Sequence, residues 1–296
     1  MIFSRQPLAV RSQLTTQKQS STIKALKIEC FFMLIWLQIK SMYDKIKKDK
    51  IRNRFNARKV ACWRLTAGGC LYVNQKGDIM IFENGDRVVF AGDSVTDSGR
   101  KRPYGEGLWE GVGNGYVRNV DSILSVLYPE KLIHITNVGC SGATSTNMLN
   151  DWENNVEKCA PDYVFFMIGA NDVWRQFDEP AMYGESCAPE VYRKNIEAVC
   201  ERTVGKVKKL FAISPFYMEA NDNDPMKKRM VEYAQICKEV VEKYGATYID
   251  VQGEFDKHLV HRYPAYISWD RVHPNWVGSM IIAKEVLKAI GADPLY

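Results

Sequence analysis

Residues 87–100 read RVVFAGDSVTDSGR, and the way this stretch divides decides the fold. After Arg87, its next four residues, VVFA, form an apolar run rich in β-favouring side chains. No polar residue alternates with the apolar ones. The run therefore reads as a strand buried on both faces, as in a parallel sheet, rather than one with a wet side. Gly92 ends it, and Asp93 and Ser94 come immediately after. A strand that stops at a glycine and then delivers a serine sets that hydroxyl at the carboxyl edge of the sheet, where α/β proteins gather their chemistry.

The same juncture recurs downstream. Runs at 133–138 (IHITNV), 163–168 (YVFFMI), 210–214 (LFAIS) and 247–251 (TYIDV) repeat the buried-strand pattern. Helical spacing appears between them, at about 115–127, 144–158, 189–208 and 225–244, with a shorter pattern near 253–261 and a last one near 275–290. Over 226–244 the apolar positions Met230, Tyr233, Ala234, Cys237, Val240, Val241 and Tyr244 keep the 3–4 spacing of one helix face. Strand–helix alternation of this kind demands right-handed crossovers. The expected fold is a three-layer α/β/α sandwich around a five-stranded parallel sheet, formed by residues 80–296 as one domain.

Charge separates this domain from the segment before it. Residues 1–79 hold 16 Lys/Arg against 4 Asp/Glu, whereas residues 80–296 hold 24 against 31. The total of +5 thus hides an acidic domain behind a basic leader, and the domain offers no electrostatic reason to bind nucleic acid. Within the leader, CFFMLIWL (30–37) is too short to span a bilayer, and no small-residue cleavage site comes after it. Surface anchoring through its basic and apolar residues is the minority reading. The preferred one is that residues 1–79 are disordered or a mis-assigned start, with Met80 the true first residue. Lys76-Gly77-Asp78-Ile79 can be written in purine-rich codons, as a translated ribosome-binding site would be. N-terminal mass spectrometry of the native protein tests this, and any peptide from 1–75 excludes it. The eight cysteines contain no CxxC pair and no compact spacing, so neither a zinc site nor a disulfide framework is expected. Free thiols in a reducing cytosol are the simplest reading.

The segments just after the strands carry the chemistry. GDSVTDSGR (92–100) succeeds the first strand, GCSGAT (139–144) the second and GAND (169–172) the third, while Asp270 and His273 stand before the last helical pattern. Serine is a weak nucleophile unless a base takes its proton. His273 can do so through Nε2 if a carboxylate holds its Nδ1–H, and Asp270, three residues earlier, can reach that nitrogen. Attack on a carbonyl leaves an oxyanion. The backbone N–H groups of Ser94 and Gly142 and the Asn171 amide are candidate donors for it. Gly142, lacking a Cβ, is expected to let its amide approach a substrate closely.

Taken in order, GDSVTDSGR, NVGCSGAT, GAND and DRVH resemble the four blocks of the SGNH, or GDSL-type, esterase family over nearly all of residues 86–291. The resemblance implies a flavodoxin-like sandwich, Ser94 as nucleophile, Gly142 and Asn171 as oxyanion donors, Asp270 and His273 completing a triad, and no metal or cofactor. RPYGEGLWEGVGNGYV, MIGANDVWRQFD, SPFYMEANDNDPMKKRM and YPAYISWDRVHP are similar to one branch, the small intracellular acetylxylan and acetyl-xylo-oligosaccharide esterases. That branch implies removal of acetyl groups from short acetylated carbohydrates, and a homo-oligomer. A short-chain lysophospholipase or thioesterase of the same family is the alternative.

Other residues carry weaker expectations. Trp174, Arg175, Tyr217 and Trp269 flank the blocks and suit sugar rings or hydroxyls, although packing explains each equally well. Asp93 serves either as a turn residue or as a group orienting the serine loop or its substrate. Asp270 and Asn171 have a competing role as caps of their turns. His134, His258 and His261 read as structural. Gly107, Gly111, Gly113 and Gly115 lack the GxxxxGK of a phosphate loop and read as a loop before a helix.

Overall fold

A computed structural model describes residues 80–107 and 109–292. The expectations placed on the leader, including Met80 as the start, lie outside the described residues.

The strands are β1 (Arg87–Gly92), β2 (His134–Asn137), β3 (Tyr163–Met167), β4 (Lys209–Ile213) and β5 (Thr247–Ile249), all parallel, in the order β2-β1-β3-β4-β5. Each expected strand is present, and the order is that of a doubly wound flavodoxin-like sheet, whose switch point lies between β1 and β3. Besides a single helical turn at Pro180–Tyr183, the α-helices are α1 (Ser94–Asp97), α2 (Tyr116–Leu127), α3 (Ser145–Asn150), α4 (Trp152–Asn155), α5 (Ala170–Asp178), α6 (Pro189–Thr203), α7 (Pro225–Lys243), α8 (Gln252–Leu259) and α9 (Trp276–Ala289).

Both faces of the sheet are covered, as the unbroken apolar strands require. Val88 and Phe90 of β1 point into a core shared with α2, α8 and α9, while Val89 and Ala91 point into one shared with α3, α6 and α7. Phe165 at the sheet centre lies in register with Phe90 and Phe211, and its ring stacks on both, at centroid distances of 4.8 and 4.3 Å. Neighbouring strands thus align their side chains into one aromatic ladder across β1, β3 and β4, which fixes the register of those three strands.

Three local expectations need correction. The helix expected over 144–158 is two short helices joined at Asp151, because the Asn150–Asp151 pair favours local turns over continued helix. The one expected over 189–208 ends at Thr203, where Val204 turns extended and Gly205 takes a φ of +82°. Helix α5 has no counterpart in the sequence pattern; GAND reads as a turn but begins a helix of 9 residues.

Candidate active site

Ser94 is the first residue of α1, and the Asp93 carboxylate caps that helix by accepting the Val95 N–H at 3.0 Å. Across the sheet, residues 267–275 form a tight loop ahead of α9. Ser268 and Pro274 bridge its two arms, and the Asn275 side chain caps the helix by accepting from Val277 and Gly278 N–H. Inside the loop Asp270 uses both carboxylate oxygens. Oδ1 accepts the backbone N–H groups of Val272 and His273 at 3.0 and 2.7 Å, and Oδ2 meets His273 Nδ1 at 2.5 Å. With Nδ1–H given to Asp270, Nε2 is left to face Ser94 Oγ at 2.8 Å. A serine, an imidazole and a carboxylate thus form one hydrogen-bonded line, although Ser94 and His273 stand 179 residues apart.

Electrostatics keep that line polarised. Burial pushes the Asp270 carboxyl up, but the His273 side chain and the two backbone donors outweigh it and hold it below the ordinary carboxylate range. It therefore remains an acceptor for Nδ1–H at neutral pH, which fixes the tautomer.

Gly142 and Asn171 come to the same rim from β2 and β3. Gly142 has a φ of +80°, and a Cβ built there would touch no protein atom. It is thus the left-handed backbone, and not crowding from the protein, that calls for glycine. Asn171 is buried in the first turn of α5 and donates one Nδ2 hydrogen to Ala143 O at 3.0 Å, which leaves its second amide hydrogen for a ligand. Its side chain is therefore bound to the glycine loop rather than capping its own turn.

The five expected substrate contacts separate into two groups. Trp174 and Trp269 flank the imidazole, with ring centroids 6.0 and 6.4 Å from that of His273, and Trp269 lies nearly parallel to it while remaining 82% exposed. The other three are engaged by partners within the protein. Asp93 is buried beneath α1 as its cap. Arg175 pairs with Asp178 and Glu179 and lies over the Trp174 ring. Tyr217 is buried in the core, and its backbone N–H is held by Gln252. His134 is on β2, His258 in α8, and His261 lies just past the end of that helix.

Sequence reasoning passes over several residues that hold these loops. Asn137, fully buried, donates to Thr96 O and Val112 O and accepts Gly139 N–H. Arg100 Nε donates to Gly139 O at 2.7 Å. The α1 and β2 loops are packed so closely that a Cβ on Gly139 would lie 2.4 Å from Asp97 N. Arg271, between the candidate acid and base, adopts a φ of +69°, a strained value for a side-chain-bearing residue. Its carbonyl accepts Met218 N–H and its guanidinium pairs with Glu219, so the loop after β4 holds it there. None of these has a spacing signal, since each acts on partners remote in sequence.

Comparison with known proteins adds to this geometry. The profile of the GDSL-like lipase/acylhydrolase family matches residues 90–281. An acetylxylan esterase of Geobacillus stearothermophilus is 40% identical over 210 residues, which is 71% of this chain and 96% of that protein. The chain belongs to the GDSL-like lipase/acylhydrolase family. Among solved members, the crystal structure of Axe2, an acetylxylan esterase from the same organism, superposes with a TM-score of 0.69 at 40% identity, covering 70% of this chain and 95% of that one. LAE5, an α/β hydrolase from the metagenome of Lake Arreo, gives a TM-score of 0.70 at 41% identity, covering 72% and 98%. Three Axe2 structures are of catalytic mutants, in which a serine, an aspartate or a histidine is replaced by alanine. In Axe2 that serine and histidine are also 179 residues apart, and the aspartate precedes the histidine by three, as here. This family member is a carboxylic-ester hydrolase. Among its described residues no cluster of His, Cys, Asp and Glu could hold a metal ion, and no helix is long and apolar enough to cross a membrane.

Proposed function

We propose that this protein is a serine esterase that removes acetyl groups from short acetylated xylo-oligosaccharides through a covalent acetyl-enzyme. The observation that carries the reading is the unbroken relay from Asp270 through His273 to Ser94, with contacts of 2.5 and 2.8 Å. Ser94 Oγ attacks the acetyl carbonyl as His273 Nε2 takes its proton, and Asp270 stabilises the imidazolium that results. The carbonyl oxygen becomes an oxyanion held by the N–H groups of Ser94 and Gly142 and the second Asn171 amide hydrogen. Collapse of the intermediate expels the sugar hydroxyl, which receives the proton from His273. A water molecule, with His273 again as base, then releases acetate and frees Ser94.

The matched spacing of serine, aspartate and histidine in Axe2 supports these assignments, and the acetylxylan esterase activity of Axe2 supports the substrate class. Trp269 offers an exposed indole face beside His273, and sugar C–H surfaces pack on such faces. Acetate release from acetylated xylo-oligosaccharides, compared with acetylated chitin and peptidoglycan fragments, tests the substrate. Release should be fastest from the xylo-oligosaccharides, and a preference for either of the others overturns the assignment. Nitrophenyl esters of two and eight carbons test the acyl group: the short ester should be preferred, and a preference for the longer one restores the lysophospholipase or thioesterase alternative.

The reading extends to a homo-oligomer in a reducing compartment such as the cytosol. The five described cysteines are free thiols. Val260, Tyr263 and Trp276 are each more than three-quarters exposed, which leaves apolar surface for a second copy to cover. The native mass by light scattering tests this, and a monomer contradicts it.

A further inference from the structure

The three candidate oxyanion donors sit on three separate loops, after β1, β2 and β3, and the middle loop is the least able to hold itself. Ser141 and Gly142 are exposed, and Gly142 has no side chain to pack and the widest backbone freedom of any residue. Two carboxylates grip this loop on either side of the glycine. Asp97, at the end of α1, accepts the Ser141 N–H on Oδ2 at 3.0 Å. Asp172, next in sequence to Asn171, accepts the Ser145 N–H at 3.1 and 2.9 Å and the Ser145 hydroxyl at 2.5 Å. Each grip runs from a loop that carries one donor to the loop that carries another.

We propose that Asp97 and Asp172 are the positioning residues of the oxyanion hole, clamping the Gly142 turn from the Ser94 side and from the Asn171 side. This role rests on Ser94, Gly142 and Asn171 being the oxyanion donors, as proposed for the esterase reaction.

Charge alone cannot account for the pair. Carboxylates near a developing oxyanion oppose it, so electrostatic stabilisation would argue against both. The structure mutes each charge instead. Burial pushes Asp97 up, but the Arg102 guanidinium, bound at 3.2 and 2.5 Å, outweighs it and neutralises the carboxylate locally. Burial pushes Asp172 up to about 6 against the opposing Ser145 bonds. These groups instead supply charge-assisted bonds to backbone amides and to the Ser145 hydroxyl, stronger than neutral ones. Asn195 extends the second clamp by donating to Ser145 Oγ at 2.9 Å. Donor placement matters at this precision, because a shift of about 1 Å can cost on the order of 100-fold in rate.

The test is a double-mutant cycle on an aryl acetate, with kcat and KM measured separately for Asp172→Asn, Asn171→Ala and the pair, and with Asp97→Asn, expected to show the same loss confined to kcat, measured alongside. Asp172→Asn alone should lower kcat by roughly 10- to 100-fold with KM within about 2-fold. In the Asn171→Ala background the same change should cost less than about 3-fold, because the clamp then aligns the Gly142 turn with a donor that is gone. Should Asp172→Asn fail to fold, Ser145→Ala removes the hydroxyl's bonds to Asp172 and from Asn195, keeps the Ser145 N–H on Asp172, and should reproduce a smaller loss with the same non-additivity. A normal Asn171→Ala loss combined with fully multiplicative doubles overturns the positioning role only. So does an Asp172→Asn kcat equal to or above that of the wild type, which would mean that relief of charge outweighs geometry. An Asn171→Ala enzyme with undiminished kcat overturns the donor assignment itself, and the inference with it.

Discussion

Asp93 and Asp270 show how two carboxyls near one site can be driven apart by their surroundings. Asp270 gathers donors from the His273 ring and from two backbone amides, and it stays ionised. Asp93 is wholly buried and accepts the Val95 N–H, and burial pushes it from an ordinary 3.8 up to about 7. The folded protein therefore keeps a proton on Asp93 at pH values where the unfolded chain has released it, so this group's contribution to stability falls as pH rises from about 4 to about 7. Above that window the cost of holding the charge in the core is of order 3–5 kcal/mol. Asparagine can still cap α1 but carries no charge. Asp93→Asn should thus be more stable than the wild type at pH ~8 by a few kcal/mol, with the difference shrinking towards pH ~4. Denaturation curves across that range check it, and a pH-independent difference would contradict it. At this scale the candidate triad was legible because Ser94, Asp270 and His273 fall in blocks that follow one another in the order of a known family, where each alone would pass for a turn residue. Asp97, Asn137, Asp172 and Arg271 were not, because each ties to a backbone group that any residue supplies, and the side chains that also meet them form no recognisable spacing.

Among the elements, the strands announced themselves and the short helices did not. Apolar β-rich runs such as YVFFM leave little else for residues 163–167 to do, and observed and expected bounds agree within about two residues. Helix α5 opens with Asn171 and Asp172 in its first turn, residues that favour turns when considered alone. It forms because their side chains are engaged elsewhere, on Ala143 and Ser145, and so do not compete for their own backbone. The start of α9 illustrates the same interplay near the base. Asn275 accepts from Val277 and Gly278 N–H and donates to Tyr266 O, tying the helix to the loop that carries His273. Asn275→Ala should lower stability by about 1–2 kcal/mol. Urea denaturation measures it, and a change under about 0.3 kcal/mol would show that the cap is not what holds this junction.

At the scale of the whole molecule, the sheet order explains why such distant residues meet. With β1 flanked by β2 and β3, the loops carrying Ser94, Gly142 and Asn171 leave three adjacent strands at one edge. The chain then runs through β4 and β5 before the loop at 267–275 folds back over that edge. The alternation of strands and helices made the parallel sheet and its two helical layers legible. Strand order was available only through family resemblance, since spacing along the chain does not say which side of a sheet the next crossover takes.

The central claim is that this topology makes Ser94 a nucleophile. Ser94→Ala, assayed on an aryl acetate beside a circular dichroism control for folding, tests it most directly. The account predicts a fall in kcat of roughly 10⁴–10⁶ with the fold intact; near-normal hydrolysis by the alanine variant would contradict it.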